Sequence, residues 1–179
     1  MHPRTTELCE FLEVQHRNVR ATFEAIPESQ RDRRPAPGVW SPADVVAHLA
    51  MIESRLAGVF STLIADARAR GLRLEPDTSP ILPTIDVSKV LDRSRKIVAP
   101  ERVDPCRTPS SSGWIDYERA HGELTAVVRQ ADGLALSEVV HPHPVFGPLN
   151  LYEWVAFTGA HEARHAAQIT EAAATAPSM

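Results

Sequence analysis

The chain has 179 residues, 43% of them hydrophobic and 23% charged, with a net charge of −4. That suits one domain over 1–179 with a packed core, and no stretch approaches the roughly 18 consecutive apolar residues of a membrane span. Acids and bases are interspersed without a Lys/Arg run, which disfavours nucleic acid as a partner.

The start, MHPRTTELCEFLEVQHR, is charged and has no apolar signal core, so a cytoplasmic location is expected. His2 is expected to fray. A first helix is predicted from about Thr5 to Ala25, because Leu8, Leu12, Val19 and Ile26 recur at helical spacing with Gln15 on the same stripe. His16 falls outside that stripe, on the surface or an edge. Pro27 and the RRPAPG stretch stop the helix.

A second helix opens at WSPAD, with Ser41 as N-cap, Pro42 in the first helical position and Asp44 returning a capping-box contact. Val45, Leu49, Ile52, Leu56, Val59 and Leu63 form its apolar stripe, which lasts to about Arg70 before Gly71 ends it. Residues 71–110 then hold Pro76, Pro80, Pro83, Pro100, Pro105 and Pro109, with a short helix expected over Val87–Val98. So long a connection fits a crossover that spans a helical bundle.

The third helix is placed from Ser111 or Ser112 to about Ala131, with Trp114, Tyr117, Leu124 and Val128 apolar and His121 at the surface or an edge. HPHPVFGPL follows, whose prolines and glycine forbid helix; His141 and His143 read as part of a rigid loop. A fourth helix runs from about Asn150 to Ala174. No stretch alternates like a strand. The expected fold is all-α: an antiparallel-type four-helix bundle with a long crossover between helices 2 and 3. Cys9 falls on a helix and Cys106 in a loop, with no C-x-x-C pairing.

The segment GAHEARHAAQIT carries the chemistry. At about 100° per residue, His161, His165 and Gln168 lie within about 40° of Trp154, on the face a bundle buries. Imidazoles there are costly without partners, and histidines at i and i+4 present two nitrogens to one point. HEARH also spells the zinc-protease signature, but that chemistry needs a third ligand downstream and no histidine follows His165. A di-iron carboxylate site needs a second Glu-x-x-His, and Glu138 with His141 runs into Pro142. On helix 2, His48 sits at the edge of the apolar stripe and could supply a third imidazole.

GVWSPADVVAHLAMIESR and LNLYEWVAFTGAHEARHAAQI together resemble the DinB-like superfamily of metal-binding four-helix bundles. There a W-S-x-x-(E/D)-x-x-x-H-L segment gives one histidine ligand and H-x-x-x-H-x-x-Q gives two. The resemblance covers nearly the whole chain and implies a divalent metal (zinc, nickel or iron) on His48, His161 and His165. It further implies a small-molecule substrate, no membrane partner, and a homodimer formed through helix faces. Characterised relatives include transferases and isomerases that use bacillithiol, mycothiol or glutathione, so the expected function is metal-dependent addition of a low-molecular-weight thiol to an electrophile. A metal-dependent hydrolase and a non-enzymatic, stress-related metal-binding bundle are the alternatives. Gln168 then either orients a ligand or pairs with another helix. Glu162 assists proton transfer or bridges between helices, and Glu53 is a further supporting candidate. Arg164 reads as a surface or interhelix cation, and Trp40 and Trp154 as core anchors.

Overall fold

Ser41 and Asp44 close on each other: the Ser41 hydroxyl accepts from the Asp44 N–H at 3.1 Å, and the Asp44 carboxylate accepts from the Ser41 N–H at 2.9 Å. This reciprocal cap satisfies two orphan donors and starts a 28-residue helix at Pro42. The structure, a computed structural model, describes residues 1–94, 97–107 and 113–175. Its helices are α1 (Pro3–Glu24), α2 (Glu28–Arg31), α3 (Pro42–Ala69), α4 (Ser88–Leu91), α5 (Gly113–Gln130) and α6 (Leu151–Thr175). The four long ones form the expected four-helix bundle with its long crossover, but its two most extensive pairings are parallel and not antiparallel.

Side-chain pairs along the interfaces fix the directions. Phe11 meets Gly159 and His16 approaches Glu162, so α1 and α6 run parallel. Ala47 meets Gly113 and Glu53 meets His121, so α3 and α5 are parallel too. By contrast Phe60 packs on Trp154 while His48 packs on His165, and Phe23 stacks on Trp114 while Glu13 reaches Arg129. The α3/α6 and α1/α5 contacts are therefore antiparallel. α1 and α3 oppose each other in direction, as do α5 and α6, and each of these two pairs sits on a diagonal of the bundle. A parallel α3/α5 pair forces the chain back along the bundle, about 42 Å at the 1.5 Å rise of a helix as long as α3. That is the physical reason for the long crossover.

Several local expectations need correcting. The helix placed over Val87–Val98 is only the single turn of α4, and residues 97 and 98 are not helical. Pro109, Ser111 and Ser112 lie outside the described residues, which begin again at α5. His2 does not fray: its ring accepts from the Arg4 N–H at 3.3 Å and caps α1, and its own backbone N–H donates to Asp132 at 2.7 Å. HPHPVFGPL is a β-hairpin, β1 (Val140–His143) paired antiparallel with β2 (Gly147–Asn150), with Pro142 opposite Pro148. Prolines are tolerated because each strand of a two-stranded ribbon is an edge, and Gly147 takes the positive φ of 81° that the turn demands.

On α3 the stripe read from the sequence was rotated. Ile52, Leu56, Val59 and Leu63 are half-buried, while Ala50, Glu53, Ala57, Phe60 and Ile64 occupy the centre. No helix among the described residues is long and apolar enough to cross a membrane.

Candidate metal centre

Three imidazoles meet at the end of the bundle where α3 begins and α6 finishes. His48 lies in the second turn of α3, and His161 and His165 lie one turn apart on α6. Ring centroids are 5.3 Å apart for His48 and His161, 5.0 Å for His48 and His165, and 4.3 Å for the α6 pair. One ring nitrogen of each lies within 4.8 Å of those of the other two.

The outer nitrogens of His48 and His165 are already engaged. The His48 Nδ1–H donates to the Val103 carbonyl at 2.7 Å, which leaves Nε2 with its lone pair. The His165 Nδ1–H donates to the Gln168 Oε1 at 2.8 Å, and its Nε2 faces the His161 Nε2 at 3.0 Å. Such outer contacts set the tautomer and ring orientation of a metal-ligating histidine. Burial, reinforced by the neighbouring imidazoles, pulls His161 down to about 3 and His165 well below its ordinary value. Burial also lowers His48, against the Val103 hydrogen bond. All three are therefore neutral at physiological pH, the form that ligates metal. Three neutral nitrogen donors with lone pairs turned inward fit a first-row divalent cation and leave coordination positions open.

The surroundings shape access. The Trp40 ring lies 4.8 Å from that of His48, and its Nε1–H donates to Asp104 at 3.2 Å, so it walls the cluster as well as anchoring the crossover. Trp154 is buried and donates to the His141 carbonyl at 3.0 Å, far down α6. Of the three histidines His161 alone is half-buried; the other two are buried. A depression of about 370 Å³ between α3 and α5, bordered by Phe23, Arg34, Ala47 and Trp114, includes none of them. Arg164 bridges from α6 to the Val90 carbonyl at 3.1 Å and to that of Asp92 at 2.5 Å, an interhelix cation.

Gln168 touches the cluster; Glu162 and Glu53 do not join it. Glu162 is fully buried and accepts from the Tyr117 hydroxyl at 2.5 Å, and Glu53 is 1% exposed. Both turn toward His121, whose Nδ1 lies 3.5 Å from Glu162 and 3.4 Å from Glu53. His16 and His121, read as surface or edge residues, are instead inside the bundle, 6% and 4% exposed. Their spacing held the signal, since His16 is four residues after Leu12 and three before Val19, and His121 stands likewise between Tyr117 and Leu124. The Val103 carbonyl had no sequence signal, because a backbone acceptor has no residue type.

The sequence profile of the DinB superfamily matches residues 12–169. A Bacillus subtilis (strain 168) protein described as uncharacterized, YuaE, is 25% identical over 151 residues, 83% of this chain and 86% of its own. Two solved structures share the fold. TT2238, described as a four-helix bundle protein, has a TM-score of 0.59 at 21% identity and covers 93% of this chain and 98% of its own. YfiT from Bacillus subtilis, described as a probable metal-dependent hydrolase with an unusual four-helix bundle topology, has a TM-score of 0.56 at 20% identity, covering 93% and 84%.

Proposed function

The chain belongs to the DinB superfamily, and we propose that it is a metal-dependent enzyme that transfers a low-molecular-weight thiol to an electrophilic small molecule. His48, His161 and His165 hold the divalent cation, with zinc, nickel and iron the candidates. The observation that carries the reading is the donor set: three neutral imidazoles and, among the described residues, no carboxylate in the cluster. With no anionic protein ligand to offset it, the bound cation lowers the pKa of a thiol that reaches it and so supplies a nucleophile at neutral pH.

The chain's own residues do the rest. Gln168 holds the His165 ring, and the Val103 carbonyl holds that of His48, so both lone pairs stay aimed inward. Trp40 closes one wall and limits water, while partly exposed His161 marks the side from which a small molecule arrives. Hydrolysis is the second reading, because the same neutral donor set would activate water and the fold neighbour YfiT is described as a probable metal-dependent hydrolase.

Elemental analysis of the purified protein beside His48→Ala, His161→Ala and His165→Ala tests the site. Each substitution is expected to remove one equivalent of metal; unchanged content in all three sinks the assignment. A panel of electrophiles with and without glutathione, bacillithiol or mycothiol then divides the activities. Turnover only with thiol supports transfer, turnover without it supports hydrolysis, and no turnover on either arm counts against an enzyme.

A further inference from the structure

The apolar interior is not continuous. One hydrophobic cluster includes Leu8, Leu12, Ala57, Phe60, Leu124 and Ala160, and the other includes Val19, Leu49, Ala50, Tyr117 and Ala166. Between them lies a polar layer to which each long helix gives one residue: His16 from α1, Glu53 from α3, His121 from α5 and Glu162 from α6. All four are buried, and the two carboxylates are 1% and 0% exposed.

We propose that this layer is a second metal site, distinct from the three-histidine cluster, in which His16, Glu53, His121 and Glu162 bind one divalent first-row transition ion. The proposal goes beyond the enzymatic reading and is independent of it.

The spacing fits coordination better than hydrogen bonding. His121 Nδ1 lies 3.4 Å from Glu53 Oε2 and 3.5 Å from Glu162 Oε1, and His16 Nδ1 lies 4.0 Å from the same Glu162 oxygen. Nitrogen–oxygen hydrogen bonds cluster at about 2.7–3.2 Å, whereas donors about 2.1 Å from a tetrahedral ion stand about 3.4 Å apart. His16, His121 and Glu162 each offer an atom within 4.8 Å of the others.

The inner atoms have no hydrogen-bond partner among the described residues: His16 Nδ1, His121 Nδ1, both Glu53 oxygens and Glu162 Oε2. Such buried orphans are costly, and a bound ion satisfies them together. The outer atoms, in contrast, are engaged. His16 Nε2 is 3.3 Å from Glu118 and His121 Nε2 is 3.4 Å from the Thr125 hydroxyl, while Glu162 Oε1, the oxygen nearest both imidazoles, also accepts from the Tyr117 hydroxyl. A metal-ligating histidine needs this arrangement, with one nitrogen held from outside and the other turned inward.

Charge points the same way. In the form that ligates metal, with both carboxylates ionised and both imidazoles neutral, the four side chains sum to −2, which a divalent ion cancels. Burial lowers the His121 pKa, but Glu162 and Glu53 outweigh it and hold it at about 10, and burial raises that of Glu53, so the ion takes the place of protons there. His16, His121 and Glu162 form the mutual cluster, and Glu53 stands against His121. Once Glu53 is drawn onto the ion, four donors close the sphere, so the ion ties four helices together and has no role in turnover.

The test is metal stoichiometry. Protein refolded in Co²⁺ or Zn²⁺, so that the enclosed layer can fill, is expected to bind two equivalents. His161→Ala should retain one. His121→Asn and Glu53→Gln should each lose the other equivalent while keeping the three-histidine ion, with circular dichroism reporting the fold. Should those variants not fold, crystals of zinc-loaded wild-type protein measured at the metal absorption edge decide the matter. An anomalous peak about 2.0–2.2 Å from His16, His121, Glu162 and Glu53 is expected. A single equivalent that His161→Ala abolishes, or no peak in the layer, overturns the second site and leaves the first standing. Loss of one equivalent in His121→Asn with the full complement retained in His161→Ala has the opposite effect.

Discussion

Gln168 makes the clearest case at the scale of single residues. Its Oε1 accepts the His165 Nδ1–H at 2.8 Å, and that proton keeps the opposite nitrogen free for metal. Gln168→Leu should weaken metal affinity about 10- to 100-fold with the fold intact, read by competition with a chelator; unchanged affinity would mean that packing alone holds the ring. His161 and His165 were legible because two histidines at helical spacing on an apolar face are conspicuous. His48 was legible only as the partner of that pair. The polar layer was missed for a chemical reason: imidazoles in core slots look like interruptions of a stripe, so His16 and His121 were assigned to the surface or an edge although their neighbours placed them inside. Of the two roles read for Glu162, the bridge between helices is the one it fills, to Tyr117 and His121, whereas Glu53 was tied to the wrong histidines. Each lies close in sequence to a histidine of the other cluster, yet points to a different helix neighbour.

Between elements, the close approach of α1 and α6 depends on Gly159. A Cβ there would lie 2.4 Å from Cε1 of the Phe11 ring. In an isolated helix Gly→Ala gains about 1 kcal/mol, but overpacking costs about 1–3 kcal/mol, so Gly159→Ala is expected to be neutral to destabilising by about 2 kcal/mol. Phe11→Ala should relieve the clash, and urea unfolding of both single variants and the double variant should therefore show non-additive effects. The helices themselves were readable from caps and periodicity, with Ser41 and Asp44 the firmest signal. The hairpin was not, because prolines at 142, 144 and 148 conceal any alternation. The rotation of the α3 stripe was hidden as well: Ala50 and Ala57 carry little hydrophobic signal, while larger residues at the flank carry more.

At the scale of the molecule, amphipathic stripes look the same whichever way a neighbouring helix runs. The parallel pairing of α3 with α5 was therefore invisible except through the length of the connection between them. Arg4 on α1 secures the start of that connection. Its guanidinium pairs with Glu75 at 3.0 Å and with Asp77, while Tyr152 donates to Glu75 at 3.0 Å. Burial opposes ionisation of Glu75, but the Asp77 N–H, Tyr152 and Arg4 outweigh it and hold its pKa below the ordinary carboxylate value. A depressed folded pKa contributes stability that is complete above the unfolded value, about 4.5, and is lost as pH falls through the folded value. Glu75→Gln should cost about 1–3 kcal/mol at neutral pH and flatten the loss of stability below about pH 4.5, measured by thermal melts across pH.

At the other end, the same connection delivers the Val103 carbonyl to His48. Because the acceptor is backbone, exchanging one side chain for another at position 103 leaves it in place, provided the buried position still packs. A scan of point substitutions would pass over this contact, while a one-residue deletion between 92 and 103 would shift the carbonyl and free the His48 ring to turn. The centre is thus robust to spelling changes in the connection and vulnerable to changes in its length. Natural variation there should accumulate as substitutions rather than as gaps.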